Sequence, residues 1–219
     1  MVKSGKKTNL KQTLVLASAS PRRLALLQQA GIEPDILRPV SIDETPRKGE
    51  LPRNLVWRLS KTKAFQARDL MILEKKQTDC YILAADTIVA VGRRIITKPE
   101  FVEDAIAALQ LLSGRAHKVY TGICLILSDG QYRQRIVETK VRFKRLSHDE
   151  LDSYLASREW RGKAGGYAIQ GLAGTFVKKL VGSYTNVVGL PLYEVVSLLN
   201  GEGFSVHFNW LRNAEIDLE

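Results

Sequence analysis

The apolar run YILAADTIVAV, Tyr81 to Val91, constrains the fold most, because only Asp86 and Thr87 interrupt it. A run of this kind is typical of a core strand in a sheet. Gly92-Arg93-Arg94 then turns the chain back into Ile95-Ile96, which predicts a hairpin. An ionisable side chain is costly to bury in such a strand unless it handles a metal, a cation or a proton. Asp86 is therefore a candidate active-site acid, although a strand-end aspartate bonded to nearby backbone explains it equally well.

Helices and strands alternate along the chain, with hairpins in the middle, and this order predicts a mixed, twisted α/β sheet with flanking helices. The first unit is a strand over 13–17 and a helix that begins at Pro21 and ends at Gly31. Further helices are predicted from about 52, 101, 148 and 192, and further strands over 119–127, 132–143 and 204–208. On the helix from 52, the apolar spacing leaves Lys63 on a wetter side.

The segment SASPRR joins the first strand to the first helix and carries two hydroxyls and two guanidiniums, Ser18, Ser20, Arg22 and Arg23. A helix N-terminus offers unpaired N–H groups and a partial positive charge, so these side chains would complete a phosphate cradle. An N-cap serine, a proline at the first helical position and two solvated arginines are the simpler interpretation, and the segment alone favours it.

The glycine-rich stretch GKAGGYAIQG lies late in the chain, from Gly162 to Gly171. Its glycines allow close approach of the backbone to a ligand, Lys163 can meet a phosphate, and the Gln170 amide can pair with a base edge. The stretch matches neither a Walker A nor a G-x-G-x-x-G pattern, so a tight connection between two elements explains it as well. Lys98, at the end of the predicted hairpin, would lie on the same rim as Asp86.

Composition indicates a globular chain with an anionic partner. The 219 residues are 45% hydrophobic and carry a net charge of +10, which favours nucleic acid, a membrane surface or a phosphorylated small molecule. Four lysines fall within residues 1–12, which we interpret as a disordered basic tail before a single domain over 13–210 and a C-terminal tail over 211–219. Two cysteines without a C-x-x-C pattern favour buried thiols in a reducing cytoplasm, and no apolar stretch is long enough for a membrane span.

Five motifs occur in one order over most of the chain: LASASPRR, AADTIVAV with ITKP downstream, SGRAHKVYTGI, KAGGYAIQGLAG and GSYTNVVGLPL. In this combination the chain resembles the Maf family of nucleoside triphosphate pyrophosphatases. The resemblance implies an α/β fold of two lobes around a central cleft, related to inosine triphosphate pyrophosphatases. It also implies a house-cleaning hydrolase that cuts nucleoside triphosphates to monophosphate and pyrophosphate with a divalent metal, Mg²⁺ or Mn²⁺, and a homodimeric state.

The resemblance also assigns residue roles. Asp86 becomes the catalytic acid or base and a metal ligand, with Glu44 as a second metal ligand. The polar groups around the phosphates become Ser18, Ser20, Arg22, Arg23, Lys63, Lys98 and Lys163. Arg22, Thr87 and Gln170 stand where the branch acting on dTTP and UTP carries the same residues, whereas the branch acting on methylated GTP tends to carry Trp, Gln and Glu.

Two alternatives from other classes remain at this point. The charge of +10 and the lysine tail favour a basic nucleic-acid-binding module, but Asp86 and the absence of interleaved aromatic residues favour a nucleotide enzyme with no specific nucleic-acid partner. A relative without activity that acts in septum formation is the other alternative, and intact Asp86 and arginines argue against it. Within the enzyme class, Gly166-Tyr167-Ala168 in place of the more common Ala-Tyr-Gly leaves a broader base preference open.

Overall fold

Seven strands form one mixed sheet in the computed structural model, which describes residues 12–74, 76 and 79–206. The strands are β1 (Leu14–Leu16), β2 (Ile36–Leu37), β3 (Tyr81–Val91), β4 (Arg94–Ile96), β5 (Ala116–Ile126), β6 (Tyr132–Phe143) and β7 (Val177–Val181). The helices are α1 (Pro21–Gln29), α2 (Pro52–Leu73), α3 (Val102–Leu112), α4 (His148–Ala156), α5 (Tyr184–Val188) and α6 (Leu192–Gly201). Two short 3-10 helices, Ala164–Gly166 and Leu172–Phe176, lie between α4 and β7.

Strand β3 is the centre of the sheet and has different partners along its two edges. On one edge it pairs with β5 from Ile82 to Ala90 without interruption. On the other edge β1 pairs with it in parallel up to Leu83, and β4 pairs with it antiparallel from Val89 onward. Among the described residues no strand pairs with this edge between those two positions. The sheet therefore has a gap on one side of Asp86.

The two faces of the sheet are covered differently, because side chains of a strand alternate between faces. On one face α2 extends over the whole length of β3 and packs on Ile82 and Ala84 with one half and on Ile88 and Ala90 with the other. On the opposite face α1 and α6 cover one end of the sheet, and α3 and α4 cover the other. These two core clusters give the two lobes that the resemblance implies, and they meet at Thr87.

Most predicted boundaries are confirmed within a few residues, and local sequence explains them. Pro21 occupies the first turn of α1, and Gly31 follows the helix with a φ of +68°, which favours glycine. Ser147 and Glu150 form the predicted capping box of α4. The hairpin turn is one residue shorter than predicted, because β4 already begins at Arg94.

Some expectations were wrong or lie beyond what the structure describes. No strand forms over 204–206, and 207 and 208, the rest of that predicted strand, lie outside the described residues. Lys63 is 8% exposed rather than on a wetter side. Elements β2, β7 and α5 were not predicted. The tail over 1–12 lies outside the described residues except for Gln12, whose side chain pairs with the backbone of Gly203 and Ser205. The domain boundaries at 13 and 210 stay predictions.

Candidate active site

A cleft of about 320 Å³ lies at the gap in the sheet, between the start of α1, the middle of β3 and the segment that includes both glycine-rich turns. All eleven side chains singled out from the sequence line this cleft: Ser18, Ser20, Arg22, Arg23, Glu44, Lys63, Asp86, Thr87, Lys98, Lys163 and Gln170. They come from segments that are far apart in the chain. Their convergence on one cavity is the central structural observation about this protein.

Charged groups at one end of the cleft form a chain of alternating sign. Asp86 is 3% exposed, and its Oδ1 accepts a short hydrogen bond from Nζ of Lys63. The same Nζ lies 2.6 Å from Oε1 of Glu44, and Oε2 of Glu44 lies 2.8 Å from Nζ of Lys98. The buried lysine thus solves the problem of burying Asp86, because a charge inside a protein requires a partner of opposite sign. In the described part of the chain, Oδ2 of Asp86 takes no hydrogen bond.

Glu44 is ionised over the whole physiological range. Burial opposes its charge, but hydrogen bonds from Lys63 and Lys98 lower its pKa to about 2. The residue lies in the loop between β2 and α2, where no regular element fixes the backbone. Its position therefore depends on the two lysines, which come from α2 and from the segment after β4.

The start of α1 presents cations where a helix is already positive. Both Arg22 and Arg23 stand in its first turn, and no acidic residue accompanies them. Cations are unfavourable at a helix N-terminus unless an anion joins them. Burial lowers the pKa of Arg22, and among the described residues its guanidinium makes no hydrogen bond or ion pair. Ser20 is the N-cap residue, but its side chain makes no capping hydrogen bond. The simple capping interpretation is therefore weakened.

Arg23 has a different environment from Arg22. Its Nε donates to the carbonyl oxygen of Gly189 at 2.8 Å, and its terminal nitrogens lie 3.2 Å from Oγ of Ser18 and 3.2 Å from Oγ1 of Thr87. All three nitrogens are thus engaged with the protein. Arg23 lines the cleft, as predicted, but its contacts join α1, β3 and the connection between α5 and α6. This geometry indicates a structural role beside any contact with a ligand.

Thr87 belongs to a buried polar network that the sequence reasoning missed. Its Oγ1 lies 2.9 Å from Oγ1 of Thr121 on β5, which donates to the carbonyl oxygen of Asn186 at 3.0 Å. The Asn186 amide donates to Oγ1 of Thr139 and to the carbonyl oxygen of Val119. Thr121, Thr139 and Asn186 are fully buried. The motif GSYTN was the available signal, and its role is to fix α5 against the sheet beside the cleft.

The stretch from 162 to 171 forms the opposite wall of the cleft. Gly165 and Gly166 have φ values of +72° and +69°, and a Cβ at Gly165 would lie 3.0 Å from the Val89 side chain. Glycine is therefore required for this backbone to approach β3. Nζ of Lys163 is held by the backbone carbonyl of Glu159, and burial together with nearby Arg22 lowers its pKa. The side chain of Gln170 is exposed and makes no hydrogen bond among the described residues.

A second buried pair lies behind this wall and was also missed. Nε2 of His117 lies 2.8 Å from the hydroxyl of Tyr167, whose residue lines the cleft. His117 is 2% exposed, its Nδ1 has no hydrogen-bond partner in the described part of the chain, and burial lowers its pKa to about 4. Sequence reasoning treated His117 only as an isolated histidine. The neutral imidazole supports Tyr167 from β5.

The cleft fits a divalent cation only in a limited way. In the part of the chain that the structure describes, no group of three or more His, Cys, Asp or Glu residues could hold a metal. The available donors are the carboxylates of Asp86 and Glu44, both in contact with Nζ of Lys63. Mg²⁺ commonly uses one or two carboxylates together with water and substrate phosphates, so two carboxylates suit a cation that arrives with a phosphorylated ligand.

Comparison with known proteins decides the family. The model of the family described as Maf-like protein matches residues 13–202. The chain belongs to the Maf family. A dTTP/UTP pyrophosphatase of Rhodopseudomonas palustris (strain BisB5) is 64% identical over 198 residues, which are 90% of this chain and 96% of that protein. One from Agrobacterium fabrum is 64% identical over 204 residues, 93% of this chain and 99% of that protein.

Other comparisons add little to the Maf assignment. A dTTP/UTP pyrophosphatase of Mesorhizobium japonicum is 63% identical over 91% of this chain and 96% of its own length. A solved structure of a nucleoside-triphosphatase / dITP/XTP pyrophosphatase from Mycobacterium abscessus covers 62% of this chain and 76% of its own, with 17% identity and a TM-score of 0.37. That score is too low to support a conclusion about this Maf protein. Over the described residues, no helix is both long and apolar enough to cross a membrane.

Proposed function

We propose that this protein hydrolyses nucleoside triphosphates to nucleoside monophosphate and pyrophosphate, with a preference for dTTP and UTP, as a house-cleaning enzyme. The observation that carries the proposal is the convergence of all eleven predicted side chains on one cleft around the buried Asp86. Relatives at 63–64% identity over at least 90% of the chain, named dTTP/UTP pyrophosphatases, support both the reaction and the base.

The triphosphate binds through charge and through hydrogen-bond donors that the fold orients in advance. Arg22 offers a guanidinium without a partner in the described chain, and the N–H groups at the start of α1 point toward the same space. Lys98 is half-exposed on the other rim, and Lys163 adds a cation on the opposite wall. Together these groups neutralise the charge that develops on the phosphates as pyrophosphate leaves.

Asp86 is the residue that handles the proton. Lys63 holds its Oδ1, so the carboxylate is fixed in orientation while Oδ2 remains available to a water molecule. A water that gives its proton to Oδ2 attacks the α-phosphorus directly, and no covalent intermediate on the protein is needed. Asp86 and Glu44 are also the residues that would hold Mg²⁺ or Mn²⁺, which when bound supplies Lewis-acid polarisation of phosphate oxygens.

The base is read by the wall that carries Gln170. Uracil and thymine present an N3–H donor between carbonyl acceptors, and an amide can both accept and donate. The exposed Gln170 side chain has this capacity and lines the cleft. A site that pairs one base edge rejects others, because mismatched polar groups stay unpaired. The divalent cation, a homodimeric state and a cytoplasmic location rest on the family resemblance and are part of this proposal, as is the absence of a specific nucleic-acid partner.

The experiment is a release assay for pyrophosphate with UTP, dTTP, CTP, ATP, GTP and a methylated GTP, each with Mg²⁺ or Mn²⁺. UTP and dTTP should be hydrolysed fastest, and Gln170→Glu should reduce that preference because it removes the amide donor. Fastest hydrolysis of methylated GTP, or equal rates on all bases, would contradict the pyrimidine preference. No pyrophosphate release from any triphosphate, together with salt-dependent binding to nucleic acid, would contradict the enzyme itself.

A further inference from the structure

Lys63 occupies an unusual position for a phosphate-binding lysine. Its ammonium lies between the carboxylates of Asp86 and Glu44 and contacts both. The side chain is 10% exposed, so water does little to screen these contacts. Because each carboxylate places one oxygen against the same nitrogen atom, both oxygens surround a single small cationic volume. That volume is where a cation held by these two carboxylates would lie.

We propose that Lys63 acts as an internal cation that competes with a divalent metal for Asp86 and Glu44, so that the metal binds well only together with a triphosphate. The inference rests on the proposed function. A divalent ion beside the ammonium meets a like charge at close range, and the two carboxylates are already neutralised. A triphosphate changes both conditions, since it supplies further oxygen ligands for the metal and new anionic acceptors for Lys63.

Neighbouring residues make the exchange physically reasonable. Glu44 is held at its other oxygen by Lys98, so it keeps a partner when Lys63 moves. Asp86 has only Lys63 as an ion-pair partner among the described residues and therefore needs a replacement cation before Lys63 can leave it. Lys63 lines the cleft, so its long side chain can reach a bound phosphate without movement of α2. Lys63 is thus a positioning residue that links metal binding to nucleotide binding.

The test measures Mn²⁺ binding to the full chain without nucleotide, from the electron paramagnetic resonance signal of free Mn²⁺. Lys63→Met should bind Mn²⁺ at least about tenfold more tightly than the wild type, because it removes the competing charge. The matched control is Lys61→Met on the same helix, whose Nζ contacts the Tyr132 hydroxyl outside the cleft. It should bind Mn²⁺ like the wild type. Equal affinity in wild type and Lys63→Met would overturn the inference.

Two further measurements protect this result against trivial explanations. Adding Asp86→Asn to Lys63→Met should remove the gain, and a gain that persists means that Mn²⁺ binds elsewhere and the inference is wrong. If circular dichroism shows that Lys63→Met is unfolded, a crystal structure of the wild type with Mn²⁺ and a methylene-bridged UTP analogue decides. It should show Nζ of Lys63 on a phosphate oxygen and away from at least one carboxylate; a lysine still between both carboxylates contradicts the inference.

Neither measurement depends on turnover, so its failure is separable from failure of the proposed function. A wild-type protein that releases no pyrophosphate would contradict the proposed function while leaving the comparison of Mn²⁺ affinities interpretable. Conversely, normal pyrophosphate release with equal Mn²⁺ affinities would leave the function in place and remove the role assigned here to Lys63.

Discussion

At the scale of single residues, Asp86 gives the sharpest prediction about activity. Asp86→Asn keeps the shape of the side chain but removes the negative charge that accepts a proton from water. We expect pyrophosphate release to fall by at least ~100-fold, the lower end of general acid–base contributions. The variant should remain folded, because Lys63 keeps Glu44 as a partner. Near-normal release by a folded Asp86→Asn protein would exclude Asp86 from the mechanism.

His117 gives a prediction about stability and pH. Its pKa in the folded protein is lowered by burial to about 4 from an ordinary 6.5. Between these values the unfolded chain binds a proton that the folded protein does not, so the free energy of unfolding falls as pH decreases from about 6.5 to about 4. His117→Asn removes the titrating group and retains an amide that can reach the Tyr167 hydroxyl. Urea unfolding across this range should therefore give a flatter pH profile for the variant.

A control separates this effect from other titrating groups. His148→Asn changes a histidine on the exposed start of α4, outside the core around His117. Its pH profile should follow that of the wild type. A His117→Asn profile as steep as the wild-type profile would mean that His117 is not the group responsible.

At the scale of elements, the neighbouring arginines of α1 should behave differently. Arg23 joins α1, β3 and the connection before α6 through three hydrogen bonds, whereas Arg22 has no such contact in the described chain. We expect Arg23→Ala to cost roughly 1–3 kcal/mol of unfolding free energy, and Arg22→Ala to stay within about 0.5 kcal/mol. Both should reduce pyrophosphate release. Thermal melts and kinetics on the two variants test this, and equal losses of stability would contradict it.

The packing of α2 on β5 gives a second prediction at this scale. A Cβ at Gly122 would lie 2.5 Å from the carbonyl oxygen of Val56 and 2.9 Å from Oγ of Ser60. Gly122→Ala must therefore push α2 away from the sheet, at a cost of about 1–3 kcal/mol. Because α2 carries Lys63, pyrophosphate release should fall as well. Gly201→Ala is the matched control, since a Cβ there meets nothing within 4 Å, and its stability in urea should not decrease.

At the scale of the whole molecule, the two ends of the sheet should unfold together. Strands β3 and β5 each have eleven residues and extend through all the core clusters, so neither end can lose its helices without exposing the other. Trp160 is buried at one end, and Cys80 and Cys124 are buried at the other, where burial raises the pKa of Cys124 to about 12. These side chains therefore serve as local probes of the two ends.

The measurement compares two transitions in urea. Fluorescence of a variant with Trp160 as its only tryptophan reports one end, and a brief thiol-labelling pulse reports the other. We expect the same urea midpoint for both signals, because a domain of this kind unfolds cooperatively. Separate midpoints would show that the lobes are independent units.

Sequence patterns were sufficient for the helices and strands whose periodicity is local. The apolar run of β3, the proline at the start of α1 and the capping box of α4 each act over a few residues, so the chain specifies them without tertiary information. The short strand β2 and the five-residue helix α5 carry too few residues for a periodic signal. They exist because the sheet and the buried Asn186 network hold them in place.

The sequence by itself determined which chemical groups the site contains, because the motifs carry Asp86, the arginines of α1 and Gln170 in the order of a known family. Only the tertiary structure decided how those groups are paired. Lys63 fits a solvated helix face by periodicity, yet it is buried between Asp86 and Glu44 because the gap in the sheet places a carboxylate opposite α2. Arg22 and Arg23 are equivalent in sequence, but side chains on a helix diverge by about 100° per residue, so one faces the cleft and the other joins three elements.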